Sequence, residues 1–150
     1  MISEDYVSFE TAKLLKEKGF DVNTFAKYAG KEGVTEEWYD DYRERMIKFD
    51  WEDGHLIEPL TEPQSQYRVY GDTVPAPTLQ MVMKWLRKIH NLEIYPYHNS
   101  PNNRHNSEWW FEIIKYPNSV AEYESGFDEE VDTYEKACES AIKYCLENLI

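Results

Sequence analysis

The sequence predicts an α+β fold, in which an antiparallel sheet of three to five strands, built from hairpins, is packed by three main helices. Three segments, at about 9–18, 78–90 and 133–149, repeat apolar residues at helical spacing. Between them the apolar residues alternate, and the alternating segments come in adjacent pairs. Adjacent pairs favour hairpins over parallel β-α-β winding. The chain of 150 residues is therefore expected to form a single α+β domain, 1–150.

The first helix, at about 9–18, is predicted from its ends as well as from its apolar stripe. Ser8 is a favourable N-cap residue, and Gly19 suits the left-handed position that follows a helix. Phe20 can then fold back onto the last turn. The apolar stripe consists of Phe9, Ala12 and Leu15, with Leu14 beside it.

Two helical segments are predicted within residues 21–45. The sequence VNTFAKYAGKEG predicts a short helical turn closed by Gly30, and a capped, acidic start predicts a helix at 36–45. Alternation in MIKFDW, the turn signal DG and the segment HLIEP then predict a hairpin. Residues 59–66 are polar, contain two prolines and are expected to form a loop.

A helix, a group of strands and a final helix are predicted for the rest of the chain. Thr78 is the expected cap of the second helix. Its apolar stripe comprises Leu79, Val82, Leu86 and Ile89, widened by Met83 and Trp85. The segments LEIYPY and EWWFEIIKY predict two strands, and SVAEYES predicts a third. Asp132, followed three residues later by Glu135, resembles a capping box at the start of the last helix.

The net charge limits the partners that the chain can bind. Sixteen basic and 29 acidic residues give −13 at pH 7, which repels nucleic acids and anionic membranes. A basic cluster at the end of the second helix is more typical of charges that complement the helix dipole than of a nucleic-acid surface. No stretch approaches the roughly 18 apolar residues of a membrane span, and the acidic start MISEDYVSFE does not resemble a secretory signal.

Three segments carry a resemblance to a known group of proteins: YVSFETAKLLKEKGFD, PAPTLQMVMKWLRKIHNLEI and TYEKACESAIKYCLENL. They are similar to segments of an uncharacterised family of small gut-bacterial phage- and prophage-associated proteins of unknown function. The three segments cover about a third of the chain, and the resemblance implies that the stretch 21–45, outside them, is an elaboration of the domain. The resemblance implies an origin in a phage or mobile element and a place in the cytoplasm of a bacterial host cell. It implies no activity and no site residue.

A metal site is the first hypothesis raised by the segment YPYHNSPNNRHNSEWWFEI. His98 and His105 are the candidate ligands, with His90 or Glu108 as further donors. Zinc sites usually pair histidines three to five residues apart, whereas these two are seven apart in an Asn-rich segment. Asparagine, proline and serine are typical of turns, so a solvated hairpin tip without metal is the preferred interpretation.

The sequence contains no recognisable catalytic pattern, and neither a catalytic residue nor a cofactor is expected. There is no Gly-x-Ser-x-Gly elbow and no Gly-rich phosphate loop. Cys138 and Cys145 lie on the apolar stripe of the last helix, so they are expected to be reduced and buried. The chain is therefore expected not to be an enzyme, and a small enzyme with an unrecognised site is kept as an alternative.

Aromatic residues on two strands supply the candidate interaction surface. In EWWFEIIKY, alternation places Trp110, Ile114 and Tyr116 on one face of the sheet. The neighbouring strand can add Tyr95 and Tyr97 to that face. Two interpretations stay open: helices cover both faces of the sheet, or this face is an exposed aromatic surface for a protein partner or for self-association.

The expected function is that of a non-enzymatic accessory or interaction protein of phage or mobile-element origin. A first alternative is an acidic protein that mimics nucleic acid and inhibits a DNA-binding factor of the host, which requires carboxylates at phosphate-like spacing on one surface. The second is the small enzyme, which requires a deep pocket lined by convergent polar groups.

Overall fold

The computed structural model confirms the α+β class, and the residues that it describes form three helices and two antiparallel sheets. It describes residues 5–29, 46–47, 55–57, 73–100, 108–125 and 131–150. The chain forms two compact units, residues 6–77 and residues 78–150 together with residues 1–5. A single domain stays a prediction. The predicted helix at 36–45 and the predicted loop at 59–66 lie outside the described residues.

In the unit of residues 6–77, the described residues form one helix and a four-stranded sheet in the order β2-β3-β1-β4, in which all the pairings are antiparallel. Its elements are α1 (Phe9–Glu17), β1 (Lys27–Ala29), β2 (Met46–Ile47), β3 (His55–Ile57) and β4 (Thr73–Pro75). The predicted hairpin is confirmed, since β2 pairs with β3. Its predicted turn lies outside the described residues.

The ends of α1 follow the local signals in the sequence. The hydroxyl of Ser8 accepts a hydrogen bond from the Thr11 amide at 3.2 Å. After the helix, Gly19 has a φ of +82°, and the Phe20 amide donates to the Leu15 carbonyl at 2.9 Å. This is the backbone pattern of a left-handed C-terminal cap. Ala12, Leu15 and Phe20 are buried, which confirms the predicted inner face of α1.

The prediction of a short helical turn in VNTFAKYAGKEG is wrong for the described part of that segment. Lys27–Ala29 forms β1, which lies between β3 and β4, so Tyr28 pairs with Leu56 on one side and Val74 on the other. The Tyr28 hydroxyl also donates to the Val7 carbonyl at 2.8 Å. Pairing on both sides, through residues distant in sequence, outweighs the local helical preference.

The unit that contains residues 78–150 has, in its described part, two helices and a three-stranded antiparallel sheet in the order β5-β6-β7. Its elements are α2 (Leu79–His90), β5 (Leu92–His98), β6 (Trp109–Lys115), β7 (Val120–Glu124) and α3 (Tyr134–Asn148). Both predicted helices and all three predicted strands are present. Within the part of the chain that the structure describes, no helix is long and apolar enough to cross a membrane.

Helix α2 begins at the predicted cap, since the Thr78 hydroxyl accepts from the Met81 amide at 3.3 Å. Most of its predicted stripe is buried. Ile89 is the exception, because 63% of its surface is exposed. The last turn packs instead through His90, whose ring lies 4.6 Å from that of Trp85. Asn91, in the left-handed conformation, then leads into β5.

Helix α3 differs from the prediction at its first residue. The cap is Thr133, whose hydroxyl accepts from the Lys136 amide at 3.1 Å. Asp132, the predicted capping residue, instead pairs with the Lys136 ammonium group at 2.7 Å. That hydrogen bond lowers the pKa of Asp132. Asp132 therefore pairs with Lys136, one turn further along the chain, and the adjacent Thr133 caps the helix.

The core of this unit lies between α3 and one face of the sheet. Leu92, Ile94, Phe111 and Ile113 are buried there, and opposite pairs of the register share that face. Tyr123 stacks on Tyr144 of α3 at 3.7 Å, and Trp109 meets Tyr134 edge-on at 5.5 Å. Cys138 and Cys145 are buried in α3 and neither forms a disulfide, as predicted.

Candidate functional site: the aromatic face of the three-stranded sheet

The face of the sheet opposite to α3 carries the candidate interaction residues. The register places Tyr97 opposite Trp110, Tyr95 opposite Glu112 and Glu93 opposite Ile114. Residues opposite each other, and residues two apart on a strand, share a face. Tyr116 continues this face just beyond β6. We call Tyr95, Tyr97, Trp110 and Tyr116 the aromatic patch, and this side of the sheet the open face.

The four residues of the aromatic patch contact one another. The rings of Tyr97 and Trp110 are stacked, with centroids 4.3 Å apart and planes 18° apart. Tyr95 lies next to Tyr97, at 6.5 Å between centroids. The hydroxyl oxygens of Tyr95 and Tyr116 are 2.7 Å apart. The patch is therefore a continuous aromatic surface held by stacking at one end and by a hydroxyl pair at the other.

The hydroxyl pair affects the protonation of Tyr95. The hydrogen bond with Tyr116, helped by burial and by the nearby acidic groups, raises the pKa of Tyr95 to about 12. A tyrosine that serves as a base needs a pKa moved towards neutrality. The arrangement does the opposite, so Tyr95 holds its proton and acts as a hydrogen-bonding group.

The aromatic patch is accessible to solvent in part. Tyr97 is 38% exposed and Tyr116 is 39% exposed, while Tyr95 and Trp110 are half-buried. The aliphatic and aromatic residues at the centre of the opposite face are fully covered. Whether the exposed aromatic surface binds a partner stays a prediction, but the exposure that such a contact needs is present.

Three carboxylates lie on the open face beside the aromatic patch. Glu112 is directly opposite Glu124 on β7, and Glu93 belongs to the same face through its partner Ile114. Glu93 forms an ion pair with Arg87 of α2 at 3.2 Å. Prediction from sequence missed the pair of Glu112 and Glu124, because it depends on the register between β6 and β7.

The free edge of β5 differs from the open face. The amide of Tyr116 donates to the carbonyl of Asn91, and the amide of Asn99 to that of Glu108, so odd-numbered backbone groups of β5 point towards β6. Pro96 therefore lies at a position whose backbone points away from β6, where its missing N–H removes one donor from the edge. This weakens β5 as a template for an added strand.

The candidate metal ligands are not brought together by the structure. His98 is exposed at the end of β5, where its ring nitrogen lies 3.7 Å from a carboxylate oxygen of Glu108. His90 lies at the opposite end of that strand, beside Trp85, and burial lowers the pKa of its imidazole. His105 lies outside the described residues. Among those that are described, no three His, Cys, Asp or Glu side chains form a group that could hold a metal ion.

The basic residues at the end of α2 are engaged in local interactions. Arg87 pairs with Glu93, and Arg87, Lys88 and His90 all lie in the last turn, where the helix dipole favours cations. Neither observation points to a nucleic-acid surface.

Comparison with protein-family models, with curated proteins and with solved structures found no match to this chain.

Proposed function

We propose that this chain is a non-enzymatic interaction protein, and that the aromatic patch is the surface through which it contacts a protein partner. The observation that carries the proposal is the stack of Tyr97 on Trp110, which leaves a large aromatic surface partly open to solvent on an ordered sheet. The resemblance of three segments to phage-associated proteins favours a role as an accessory protein of a phage or mobile element.

The physical chemistry of the patch suits binding. Tyrosine and tryptophan combine a large apolar ring with a polar group, and they are enriched in protein interfaces. Because the ring of Tyr97 is already stacked and the hydroxyl of Tyr95 already paired, a partner has less side-chain freedom to remove on binding. Preorganisation of this kind increases affinity without additional contacts.

The position of the patch also favours a protein partner over a small molecule. Small-molecule sites are usually concave and enclose most of the ligand, whereas the patch lies across two neighbouring strands of a sheet. A flat sheet face of this kind can contact a complementary protein surface or an extended polypeptide segment. Because its pKa is raised to about 12, the Tyr95 hydroxyl is also poorly suited to act as a general acid or base at neutral pH.

A peptide selection tests the proposal without knowledge of the natural partner. The full chain is used to select binders from a random peptide library, and the selected peptides are then titrated against Trp110→Ala. We expect binding to weaken by about 2 kcal/mol or more, roughly thirtyfold, as for a central interface aromatic. Circular dichroism of the variant checks that it is folded.

Ile89→Ala is the matched control, because Ile89 is an exposed apolar residue of the same unit outside the patch. It should leave binding unchanged. Sedimentation of the wild type and of Trp110→Ala reports whether a second copy of the chain occupies the patch. Selected peptides that bind Trp110→Ala and Tyr97→Ala as tightly as the wild type contradict the proposal.

A further inference from the structure

His90 is a half-buried titratable residue at the junction of α2 and β5, outside the aromatic patch. Its ring lies 4.6 Å from that of Trp85, with the two planes 70° apart. The Nε2 atom is shielded from solvent and has no hydrogen-bond partner among the described residues. A neutral imidazole can leave this nitrogen without a proton, whereas both ring nitrogens of the imidazolium are donors. Protonation therefore places a charged N–H group where no described acceptor receives it, which is costly.

The carboxylates on the elements around His90 are engaged with other cations. Helix α2 packs against β5 and α3. Gln80 in the first turn of α2 donates to the Tyr134 hydroxyl at the start of α3, so the two helices begin at the same end of the unit. The charged side chains towards the other end, where His90 lies, are those of Arg87, Lys88, Glu93, Lys115, Lys143 and Glu147. Arg87 pairs with Glu93, and Lys143 pairs with Glu147.

The backbone next to His90 is connected to the aromatic patch. Asn91, in the left-handed conformation with a φ of 58°, leads from α2 into β5. Its carbonyl accepts a hydrogen bond from the Tyr116 amide at 2.9 Å. The hydroxyl of Tyr116 in turn pairs with that of Tyr95. One covalent step and two hydrogen bonds therefore join His90 to one end of the patch.

We infer that His90 is a pH-sensitive switch for the aromatic patch, an inference that rests on the patch being the interaction surface proposed above. At neutral pH the uncharged ring packs against Trp85, and the Asn91 carbonyl holds Tyr116. Protonation favours a conformation in which the ring turns towards solvent. Because His90 is the last residue of α2, the turn at Asn91 moves with it. The Tyr116 end of the patch then loosens, and a bound protein partner is released in acid.

The direction of the switch depends on which protonation state the folded chain favours. The end of a helix favours a cation, but burial outweighs this effect and lowers the pKa of His90 below its ordinary value of 6.5. The neutral ring therefore contributes stability that is complete above the pKa of the unfolded chain, about 6.5. That contribution is lost as the pH falls through the lower pKa of the folded chain.

An NMR titration of the full chain from about pH 8 to about pH 5 tests the inference. The ring carbons of His90 report its protonation, and the Tyr116 amide reports the hydrogen bond to Asn91. We expect His90 to titrate below 6.5 and the Tyr116 amide to shift with the same midpoint. His98, which is 59% exposed at the other end of β5, is the internal comparison, and the Tyr116 amide should not follow its midpoint.

His90→Phe removes the titration while keeping an aromatic ring beside Trp85, and His98→Ala is the matched control. The shift of the Tyr116 amide should disappear in the first variant and persist in the second. The peptides selected against the wild type should bind it severalfold more weakly at about pH 5 than at about pH 7.5, and His90→Phe equally at both.

A Tyr116 amide that stays constant while His90 titrates overturns the inference, and this result needs no variant. A pH dependence that His90→Phe retains overturns it as well. Neither result affects the loss of peptide binding in Trp110→Ala, which is measured at neutral pH. The failure of the switch and the failure of the proposed function are therefore told apart.

Discussion

The two faces of the three-stranded sheet both carry aromatic and aliphatic residues, but their surroundings differ. On one face Ile94, Phe111 and Ile113 are buried beneath α3. On the other, Tyr97 and Trp110 stack on each other and keep part of their surface in solvent. The comparison shows that apolar alternation on both sides of a strand predicts two apolar faces, but not which face a helix covers. The aromatic face, which does not lie against α3, is the one that we propose as the surface for a partner.

The largest difference between the faces is expected in the free energy of unfolding. Phe111→Ala removes a fully buried ring and should destabilise the protein by about 3–5 kcal/mol. Trp110→Ala removes a half-buried ring and its stack with Tyr97, and about 2 kcal/mol is expected, because the loss of buried area adds to the loss of the stack. Denaturant unfolding followed by circular dichroism measures both. If Trp110→Ala destabilises the protein as much as Phe111→Ala, the open face is part of the core and the proposed function loses its main support.

The next largest effect is expected at α3, which covers the buried face, in the rate at which the thiols of Cys138 and Cys145 react. Burial raises the pKa of Cys138 from 9.0 to about 11 and that of Cys145 to about 12. A rise of two units leaves roughly a hundredfold less thiolate at neutral pH. Labelling with a thiol reagent should accordingly be slow in buffer and fast in denaturant. Rapid labelling of both cysteines in the folded chain contradicts the assigned inner face of α3.

The same shifts set the sign of a pH dependence. Because the pKa of each thiol is higher in the folded chain than in the unfolded one, its contribution to stability is complete below pH about 8.5–9. That contribution is lost as the pH rises through about 11 and about 12. The variant Cys138→Ala/Cys145→Ala should lose less stability than the wild type over this alkaline range. An identical alkaline decline in both proteins argues against buried, neutral thiols.

A smaller effect is expected within the open face, at the hydroxyl pair. Tyr116→Phe removes the hydrogen bond that raises the pKa of Tyr95 to about 12, so the pKa of Tyr95 should fall towards the ordinary value of about 10. An NMR titration of the Tyr95 ring carbons measures it. Tyr123→Phe is a control, because Tyr123 lies on the opposite face against Tyr144. An unchanged pKa of Tyr95 in Tyr116→Phe means that the two hydroxyls do not pair in solution.

The smallest effect is expected at the end of the buried face. His98 follows the alternation of that face, yet its side chain is 59% exposed. Replacing His98 and His105 by alanine should change the melting temperature little, with or without zinc. A substitution of an exposed residue such as His98 usually costs less than about 0.5 kcal/mol. A zinc-dependent stabilisation of the wild type that disappears in the double variant establishes a metal site there.

Most of the local structure could be predicted because its causes are short in range. Ser8, Gly19 and Thr78 act within one helical turn, and the sequence places each at the correct end of its helix. The candidate aromatic residues were also identified, since alternation along one strand assigns residues to faces. The prediction of the cap of α3 was wrong because two adjacent residues can both fill that position. Thr133 caps the helix, while Asp132 binds Lys136.

The remaining features depend on contacts between distant segments. Lys27–Ala29 is a strand because β3 and β4 lie on either side of it, and no local pattern contains that information. Likewise, Glu112 and Glu124 are separated by a turn and a register shift in β7. A displacement of one residue in that register moves Glu124 to the other face. The acidic part of the candidate site could therefore not be predicted from spacing.

By itself the sequence determined the α+β class, the helices α1 to α3, the hairpins β2–β3 and β5–β6 and the acidic net charge, because periodicity, capping and composition are properties of neighbouring residues. Only the tertiary structure decided how the strands divide between two sheets, which face of β6 lies against α3, and which carboxylates stand beside the Tyr97–Trp110 stack. These depend on register and on packing between elements far apart in the chain, where a single residue of displacement exchanges the two faces of a strand.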